Sequence, residues 1–175
     1  MTSRAPITRA EQARMLTSFS SAFRWEAQSR YTIPYEADDL ARWVADGSAP
    51  RGAWWPEWLQ EITRLTRAGS TIARVRVLDE PPTTYQRWEL FLTPQNIAAG
   101  EDIRLLARAT ARDLGLPEYD WWLLDGGRLI IITYNDAGEV ATRTLVTDPG
   151  EIDRHSAWRD LAVSHAHPAE RHAAA

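Results

Sequence analysis

The sequence predicts a single α/β domain in which a central mixed sheet of about six strands is flanked by helices. Two apolar runs, 119–124 and 128–134, flank Asp125-Gly126-Gly127, and glycine takes the positive φ that a tight turn between paired strands needs. Elsewhere, segments with a two-residue apolar repeat alternate with segments of helical period. A length of 175 residues suits one domain with its own core. We place this domain at residues 9–166 and expect flexible termini at 1–8 and 167–175.

The first third of the chain predicts a helix, a strand and two more helices. Thr8 and Glu11 have the spacing of a capping box, so a helix is expected to follow Thr8 and to end near residue 20. Residues 23–31 alternate strictly between apolar and polar, which predicts a strand with one face toward the core and one toward solvent. The two further helices are predicted at 36–45 and 54–68.

The remaining two thirds continue the alternation of strands and helices. Residues 71–78 predict a strand. Residues 83–92 fit either a strand or a helix that places Tyr85, Trp88 and Leu92 on one stripe, and we favour the helix because a strand–helix–strand unit then results. The other predicted elements are strands at 102–107 and 139–146, a short turn or helix at 110–114, and a final helix from 149 to about 166.

The composition excludes several classes of chemistry. There is no cysteine, so disulfides, thiolate catalysis and cysteine-type zinc sites are excluded. All 20 basic residues are arginine, which excludes a Schiff-base lysine and a P-loop lysine. The net charge of -4 argues against direct nucleic-acid binding. No run is long and apolar enough for a membrane helix. We therefore expect a cytoplasmic protein with no cofactor and no metal site.

Residues 69–166 carry a resemblance to a known family. Their segments RVRVL, GEDIRLL and LPEYDWWLLDGGRLIII resemble the C-terminal halves of phospholipase D-like domains, inactive versions of which occur as sensory or regulatory modules. Active members carry His-x-Lys, then four residues, then Asp. Aligning that Asp with Asp125 places Glu118 and Asp120 at the His and Lys positions. Acids repel a phosphodiester rather than attack it, so the resemblance implies the fold without its chemistry.

The range 23–168 also resembles an actinobacterial family of similar length that has no assigned function. The matching segments are FRWEAQSRY, RVRVLDEP, TYQRWELFLTPQNIAAGEDIR, WWLLDG and AWRDLAVSHA. Members of that family are often encoded near helix-turn-helix regulators. The resemblance implies a regulatory setting by association only.

A first candidate site is a row of polar side chains on the strands at 23–31 and 71–78. If these strands are neighbours, cross-strand Arg–Glu pairing follows. The row is either an anion-binding face, because the arginine fork suits carboxylate or phosphate, or an ordinary solvated face. Its members are Arg24, Glu26, Arg30, Arg74 and Arg76.

A second candidate group surrounds the predicted helix at 83–92 and the strand after it. Gly100-Glu101-Asp102 forms the turn into that strand, and its carboxylates are expected to hold Arg87 or Arg76 in place, in a structural network or in a ligand site. The members are Tyr85, Arg87, Glu89, Glu101, Asp102 and Arg104. Trp122 and Asp125 complete the candidates: the nine tryptophans form either ordinary core or an aromatic pocket, and acids near the central turn serve either the turn or a ligand.

These observations predict a non-catalytic module that binds a small ligand or a protein within a regulatory system. Possible partners are a helix-turn-helix regulator and a second copy of the chain. The alternative is an enzyme of a specialised pathway, with an aromatic pocket and Glu, Asp and Tyr side chains as acid–base groups. The enzyme predicts a deep pocket faced by a carboxylate of shifted pKa, whereas the binding module predicts an exposed apolar or arginine-rich patch.

Overall fold

The computed structural model describes residues 3–171, apart from the side chain of Arg171. Residues 1–2 and 172–175, which belong to the termini predicted to be flexible, lie outside the described residues. The strands are β1 (Arg4–Pro6), β2 (Ser21–Glu26), β3 (Thr71–Leu78), β4 (Glu101–Ala107), β5 (Asp120–Leu124), β6 (Arg128–Tyr134), β7 (Val140–Val146) and β8 (His167–Pro168). The helices are α1 (Arg9–Met15), α2 (Ala37–Asp46), α3 (Trp54–Arg67), α4 (Thr84–Ala98), α5 (Arg108–Asp113) and α6 (Pro149–His165).

All eight strands form one mixed sheet in the order β1-β7-β6-β5-β2-β3-β4-β8. β2, β3 and β4 are parallel, because α3 and α4 carry the chain back across the sheet between them. β5, β6 and β7 form an antiparallel meander that joins β2 through β5. β2 therefore lies in the middle of the sheet, with a parallel neighbour on one side and an antiparallel neighbour on the other.

Each face of the sheet is covered. On one face, Phe23, Trp25 and Trp121 pack with Ala162 of α6 in the largest apolar cluster. On the other face, α1 and α3 cover Ala22, Ile72 and Leu124, and aromatic side chains of α3 and α4 cover the region beside them. The prediction of an α/β domain with a central mixed sheet flanked by helices is thus confirmed, with eight strands instead of six.

Several local predictions are confirmed by cap and turn geometry. Thr83 caps α4 and forms a capping box with Gln86, so residues 84–98 are helix. Thr8 caps α1 in the same way with Glu11, although α1 ends at Met15 instead of near residue 20. The turn between β5 and β6 has positive φ at Asp125 (54°) and at Gly126 (63°).

Other elements differ from the sequence-based prediction. Arg4–Pro6 and His167–Pro168 lie in termini that we expected to be flexible, yet they pair with β7 and β4 at the two edges of the sheet. Strands of two or three residues are too short to show periodicity, so only their tertiary pairing defines them. β2 ends at Glu26 instead of near residue 31. Within residues 3–171, no helix combines the length and the apolar character needed to cross a membrane.

Candidate functional site

The site is built on the polar face of β2 and β3. Arg24 lies beside Arg74, and Glu26 lies beside Arg76, in a parallel register. Successive side chains of a strand point to opposite faces, so these four point to one face while Phe23 and Trp25 pack on the other. The predicted neighbourhood of the two strands, and the predicted Arg–Glu pairing, are confirmed.

The solvated face expected as one alternative is not found. Arg24, Glu26 and Arg76 are each less than 9% exposed. The helices and loops that follow β2 and β3 cover this face, so the alternating pattern identifies its members but not its environment. Charged side chains held away from water need partners, because an uncompensated buried charge is costly.

Glu26 is the centre of the ion-pair network. One of its oxygens accepts from Arg74, and the other accepts from Nε of Arg76 at 2.9 Å. Arg24 Nε lies 3.7 Å from the first oxygen. Burial opposes ionisation of Glu26, but Arg74, Arg76 and Arg24 outweigh burial and lower the pKa of this carboxyl group to about 2.

Asp120 is the second anchor and lies on β5 beside β2. Its Oδ2 accepts from Arg24 Nη2 at 2.6 Å and from the Tyr31 hydroxyl at 2.7 Å. Its Oδ1 accepts from the Ala27 N–H at 2.8 Å, and the Tyr134 hydroxyl donates to Oδ2 at 3.2 Å. Asp120 is fully buried, and burial raises the pKa of its carboxyl group although Arg24 and these donors oppose the shift.

Two further carboxylates that contact the arginines, Glu101 and Glu89, come from the second candidate group. Glu101 is buried with one oxygen 3.2 Å from Arg74 Nη2. Glu89 lies with one oxygen 3.4 Å from Arg76 Nη2. The expectation that Glu101 or Asp102 holds Arg76 or Arg87 is therefore wrong, because Glu101 contacts Arg74 and Asp102 contacts Arg104. Arg76 is held by Glu89 of the same group, and Arg87 lies elsewhere.

Five of these charged side chains form the floor of a cavity of about 790 Å³, namely Arg24, Glu26, Arg74, Arg76 and Glu89. Its walls are aromatic: Tyr31 and Tyr85 have ring centroids 5.6 Å apart, Tyr85 and Trp88 5.6 Å, and Trp88 and Trp54 6.2 Å. Trp122 lies in the floor, with the Arg24 guanidinium carbon 5.2 Å from its ring centroid. A volume of this size is typical of small-molecule sites.

Two carboxyl groups on the cavity wall have raised pKa values. Glu36, which lies just before α2, accepts a hydrogen bond from the Tyr85 hydroxyl at 2.7 Å, and burial raises its pKa to about 7. Burial also raises the pKa of Glu89 to about 8, although Arg76 opposes that shift. Both groups therefore change between the protonated and the ionised form near neutral pH, whereas a carboxyl group with an ordinary pKa is ionised there.

Six members of the predicted site do not line the cavity: Glu101, which contacts Arg74 as described above, Asp125, described below, and the four residues considered next. Arg30 is exposed and donates to the Asp136 carbonyl at 3.2 Å. Arg87 is exposed and donates to the Pro82 carbonyl at 2.9 Å. Asp102 and Arg104 pair with each other at 3.2 Å on β4. β2 ends before Arg30, and Arg87, Asp102 and Arg104 project away from the covered face of their elements.

The acids around the central turn, which the sequence places close together, lie in different environments in the structure. Asp125 accepts from the Ser20 and Ser21 N–H groups at 2.7 and 3.0 Å, so it stabilises the turn and does not line the cavity. The Glu118 side chain is 77% exposed, and its oxygen is 3.6 Å from Arg112. Of the three positions aligned with the phospholipase D motif, only Asp120 belongs to the buried network, where it holds Arg24.

The sequence-based set of site residues missed several members. Tyr31, Glu36, Asp120 and Tyr134 meet the network from loops and from strands that are distant in sequence. Asp120 had one available signal, since it occupies the motif position of the lysine that would face a substrate. For the tryptophans, the only signal in the sequence was their high number. Five of the nine line the cavity, namely Trp54, Trp55, Trp58, Trp88 and Trp122.

Comparison with solved structures gives the fold family. The chain superposes on a phospholipase D family member, Nuc from Salmonella typhimurium, with a TM-score of 0.50, 10% identity, and coverage of 94% of this chain and 93% of that chain. NucT from Helicobacter pylori gives a TM-score of 0.48, 13% identity, and coverage of 94% and 98%. The likeness to Nuc shows a phospholipase D-like fold, as the sequence resemblance implied.

A third similar structure is TrmBL2, an archaeal chromatin protein described as showing a novel mode of DNA binding. It gives a TM-score of 0.53 at 7% identity, with coverage of 94% of this chain. The chain spans about half the length of that protein, since it covers 52% of it. At this identity the likeness concerns the fold.

The family is identified from sequence. No curated protein matches the chain. The family model described as "Domain of unknown function (DUF6879)" matches residues 10–174, so this chain belongs to that family.

Proposed function

We propose that this DUF6879 domain binds a small organic ligand in the cavity above β2 and β3, without hydrolysing a phosphodiester, as a module of a regulatory system. The observation that carries the proposal is the cavity of about 790 Å³, which combines a charged floor with aromatic walls. Pockets that pair a few placed polar groups with apolar walls are typical ligand sites. The regulatory setting rests on the resemblance to a family often encoded near helix-turn-helix regulators. A regulator or a second copy of the chain is the proposed partner.

The absence of hydrolysis is supported by how the polar groups are used. A phospholipase D nucleophile is a histidine, and the aligned position is the exposed Glu118. The aligned lysine position is Asp120, which is engaged by Arg24, Tyr31 and Ala27. The chain therefore carries carboxylates at the two aligned positions where the reaction needs a nucleophile and a phosphate-binding cation.

A library screen by thermal shift tests this proposal. We expect hits that raise the melting temperature of the wild-type chain, because a ligand that binds only the folded state stabilises it. Trp58→Ala removes a half-buried ring from the cavity wall, and we expect it to abolish the shift. Trp158→Ala removes a half-buried ring that packs on the other face of the sheet, and should keep it.

Three results would overturn the proposal. Hits that Trp58→Ala and Trp158→Ala affect equally would place binding outside this cavity, and the absence of any hit with folded protein would remove the evidence for a ligand. Turnover of the phosphodiester bis(p-nitrophenyl) phosphate by the wild-type chain that is lost in Asp120→Asn would show catalysis.

An enzyme is the second candidate. The feature predicted for an enzyme, a pocket faced by a carboxylate of shifted pKa, matches Glu36 and Glu89. The exposed arginine-rich patch predicted for a binding module is not matched, because Arg24 and Arg76 are buried, so the binding proposal depends on the cavity alone. A carboxyl group with a pKa of about 7 or 8 suits general acid–base catalysis at neutral pH. Product analysis after incubation of each hit with the chain decides between the two. A hit consumed by wild type and only bound by Glu89→Gln would favour the enzyme.

A further inference from the structure

The buried network contains more acids than bases. It holds three guanidinium groups, from Arg24, Arg74 and Arg76. It holds four carboxyl groups, from Glu26, Glu89, Glu101 and Asp120, and the half-buried Glu36 lies beside it as a fifth. Three of these carboxyl groups match the three arginines, so two remain in excess.

The two acids in excess are Glu36 and Glu89. Within residues 3–171, Glu36 forms no ion pair, and its hydrogen-bond donor is the neutral hydroxyl of Tyr85. Glu89 shares Arg76 with Glu26, and it has the longer contact, at 3.4 Å against 2.9 Å. Tyr85 and Glu89 are one helical turn apart on α4, so both acids flank the same tyrosine.

Aromatic rings surround this pair of acids. The ring of Tyr85 contacts Tyr31 and Trp88, and Trp88 contacts Trp54, with the centroid distances given above. The π-faces of such rings attract cations, and aromatic cages with a nearby carboxylate bind ammonium groups. An anionic ligand would instead add charge to a region that already has an excess of carboxyl groups.

The rest of the lining does not reverse this balance. Over the whole cavity, six glutamates face five arginines. At the mouth, Arg9 lies over the ring of Tyr35 and Arg143 donates to Gln12. The mouth glutamates are Glu57, Glu61 and Glu139.

We propose that the ligand of this cavity is a small organic cation, an amine or a quaternary ammonium, whose charge lies between Glu36 and Glu89 against the rings of Tyr85 and Trp88. The inference rests on the proposed function, since it names the chemical class of the same ligand. The cation neutralises the two carboxylates that the arginines leave uncompensated, and the rings cover its apolar body.

Isothermal titration calorimetry with three probes of matched shape tests which ligand charge the cavity prefers. The probes are tryptamine, indole-3-ethanol and indole-3-acetate, which present a cation, a neutral group and an anion on the same ring system. We expect tryptamine to bind the wild-type chain at least about tenfold more tightly than the other two, which corresponds to about one well-placed charge interaction.

Neutral isosteres of the two acids test the location. Glu36→Gln and Glu89→Gln should each weaken tryptamine binding by about tenfold. Each removes an acid that is in excess, so both variants are expected to fold. Glu118→Gln changes an exposed acid that does not line the cavity and should alter the affinity by less than about twofold.

The pH dependence provides an independent readout. A cation favours the ionised carboxylates, so binding releases protons and tryptamine affinity should rise from pH 6.5 to 8.5, while the amine itself remains charged. Binding of an anion would show the opposite slope. The charged and titratable groups that face the two acids are Glu26 of β2, Arg74 and Arg76 of β3, Asp39 of α2 and Tyr85 of α4.

The outcomes distinguish this inference from the proposed function. The proposal of a cationic ligand would be overturned if indole-3-ethanol or indole-3-acetate bound as tightly as tryptamine or more tightly. It would also be overturned if both glutamine variants kept the wild-type affinity for tryptamine. If none of the three probes bound while library hits still depended on Trp58, the cationic ligand would be ruled out and the proposed ligand-binding function would stand. Failure of every library compound would remove the function itself.

Discussion

Arg76 Nε donates to Glu26 Oε2 at 2.9 Å across two parallel strands, and both side chains are less than 9% exposed. This contact joins β2 to β3 by their side chains as well as by their backbones. The same glutamate also accepts from Arg74, so one carboxylate compensates two guanidinium groups on one strand. Loss of its charge is therefore expected to affect the whole floor of the cavity.

Glu26→Gln should lower the free energy of unfolding by roughly 3 kcal/mol or more. Removing one partner of a buried ion pair is costly, and here Arg74 and Arg76 each lose the shorter of their carboxylate contacts and keep only Glu101 at 3.2 Å and Glu89 at 3.4 Å. Urea denaturation at pH 7 measures the change. Glu118→Gln neutralises an exposed acid and should stay within about 0.5 kcal/mol of wild type. A loss below about 1 kcal/mol in Glu26→Gln would contradict the central role of this carboxylate.

Stability should fall as the pH rises from 6.5 to 8.5. The folded-state pKa values of Glu36 and Glu89 are raised to about 7 and about 8, so the folded state binds more protons than the unfolded state in this interval. The free energy of unfolding then decreases with pH, by about 2 kcal/mol over the interval. Burial lowers the pKa of His155, so the titration of this group makes stability rise with pH and opposes the slope at the lower end of the range.

Denaturation midpoints at five pH values test this slope. Glu36→Gln and Glu89→Gln should each flatten it, since a glutamine binds no proton, and Glu89→Gln should exceed wild type in stability at pH 8.5. A slope that is unchanged in both variants would assign the pH dependence to other groups.

Asp125→Ala should destabilise the chain by about 2 kcal/mol without changing ligand affinity. The substitution removes the acceptor for the N–H groups of Ser20 and Ser21 and for Arg128, and it places alanine at a φ of 54°. Thermal denaturation measures the loss. Asp136→Ala, in the exposed hairpin after β6, is the matched control and should cost less than about 0.5 kcal/mol. Weakened ligand binding in Asp125→Ala would contradict this assignment and show that Asp125 contributes to the ligand site.

Thr83→Ala should destabilise α4 by about 1 to 2 kcal/mol. Thr83 accepts from the Gln86 N–H at 3.1 Å, and its hydroxyl donates to the Ser29 carbonyl at 2.6 Å, so it caps the helix and holds the loop after β2. Faster amide exchange in the first turn of α4, which carries Tyr85, is the expected readout. Thr8→Ala removes the equivalent cap of the exposed helix α1 and should leave α4 unaffected. Equal exchange in α4 for both variants would contradict this role of Thr83.

Much of the framework was predictable because its signals are local. The turn at Asp125-Gly126, the capping boxes of Thr8 and Thr83, and the alternation in β2 and β3 are each contained within a few residues. Alternation also predicted that Arg24, Glu26, Arg74 and Arg76 share a face, and the expected Arg–Glu pairs form there. The edge strands β1 and β8 carry no such signal, because two or three residues have no measurable period.

The sequence by itself determined which side chains project together from each strand, since the period of two follows from backbone geometry alone. Only the tertiary structure decided that this polar face is covered instead of solvated. That outcome depends on where α2, α3 and α4 pack, and on Tyr31, Glu36 and Tyr134 arriving from distant parts of the chain. Charge compensation is likewise a sum over neighbours in space, so the excess of Glu36 and Glu89 becomes visible only after folding has brought five acids to three arginines.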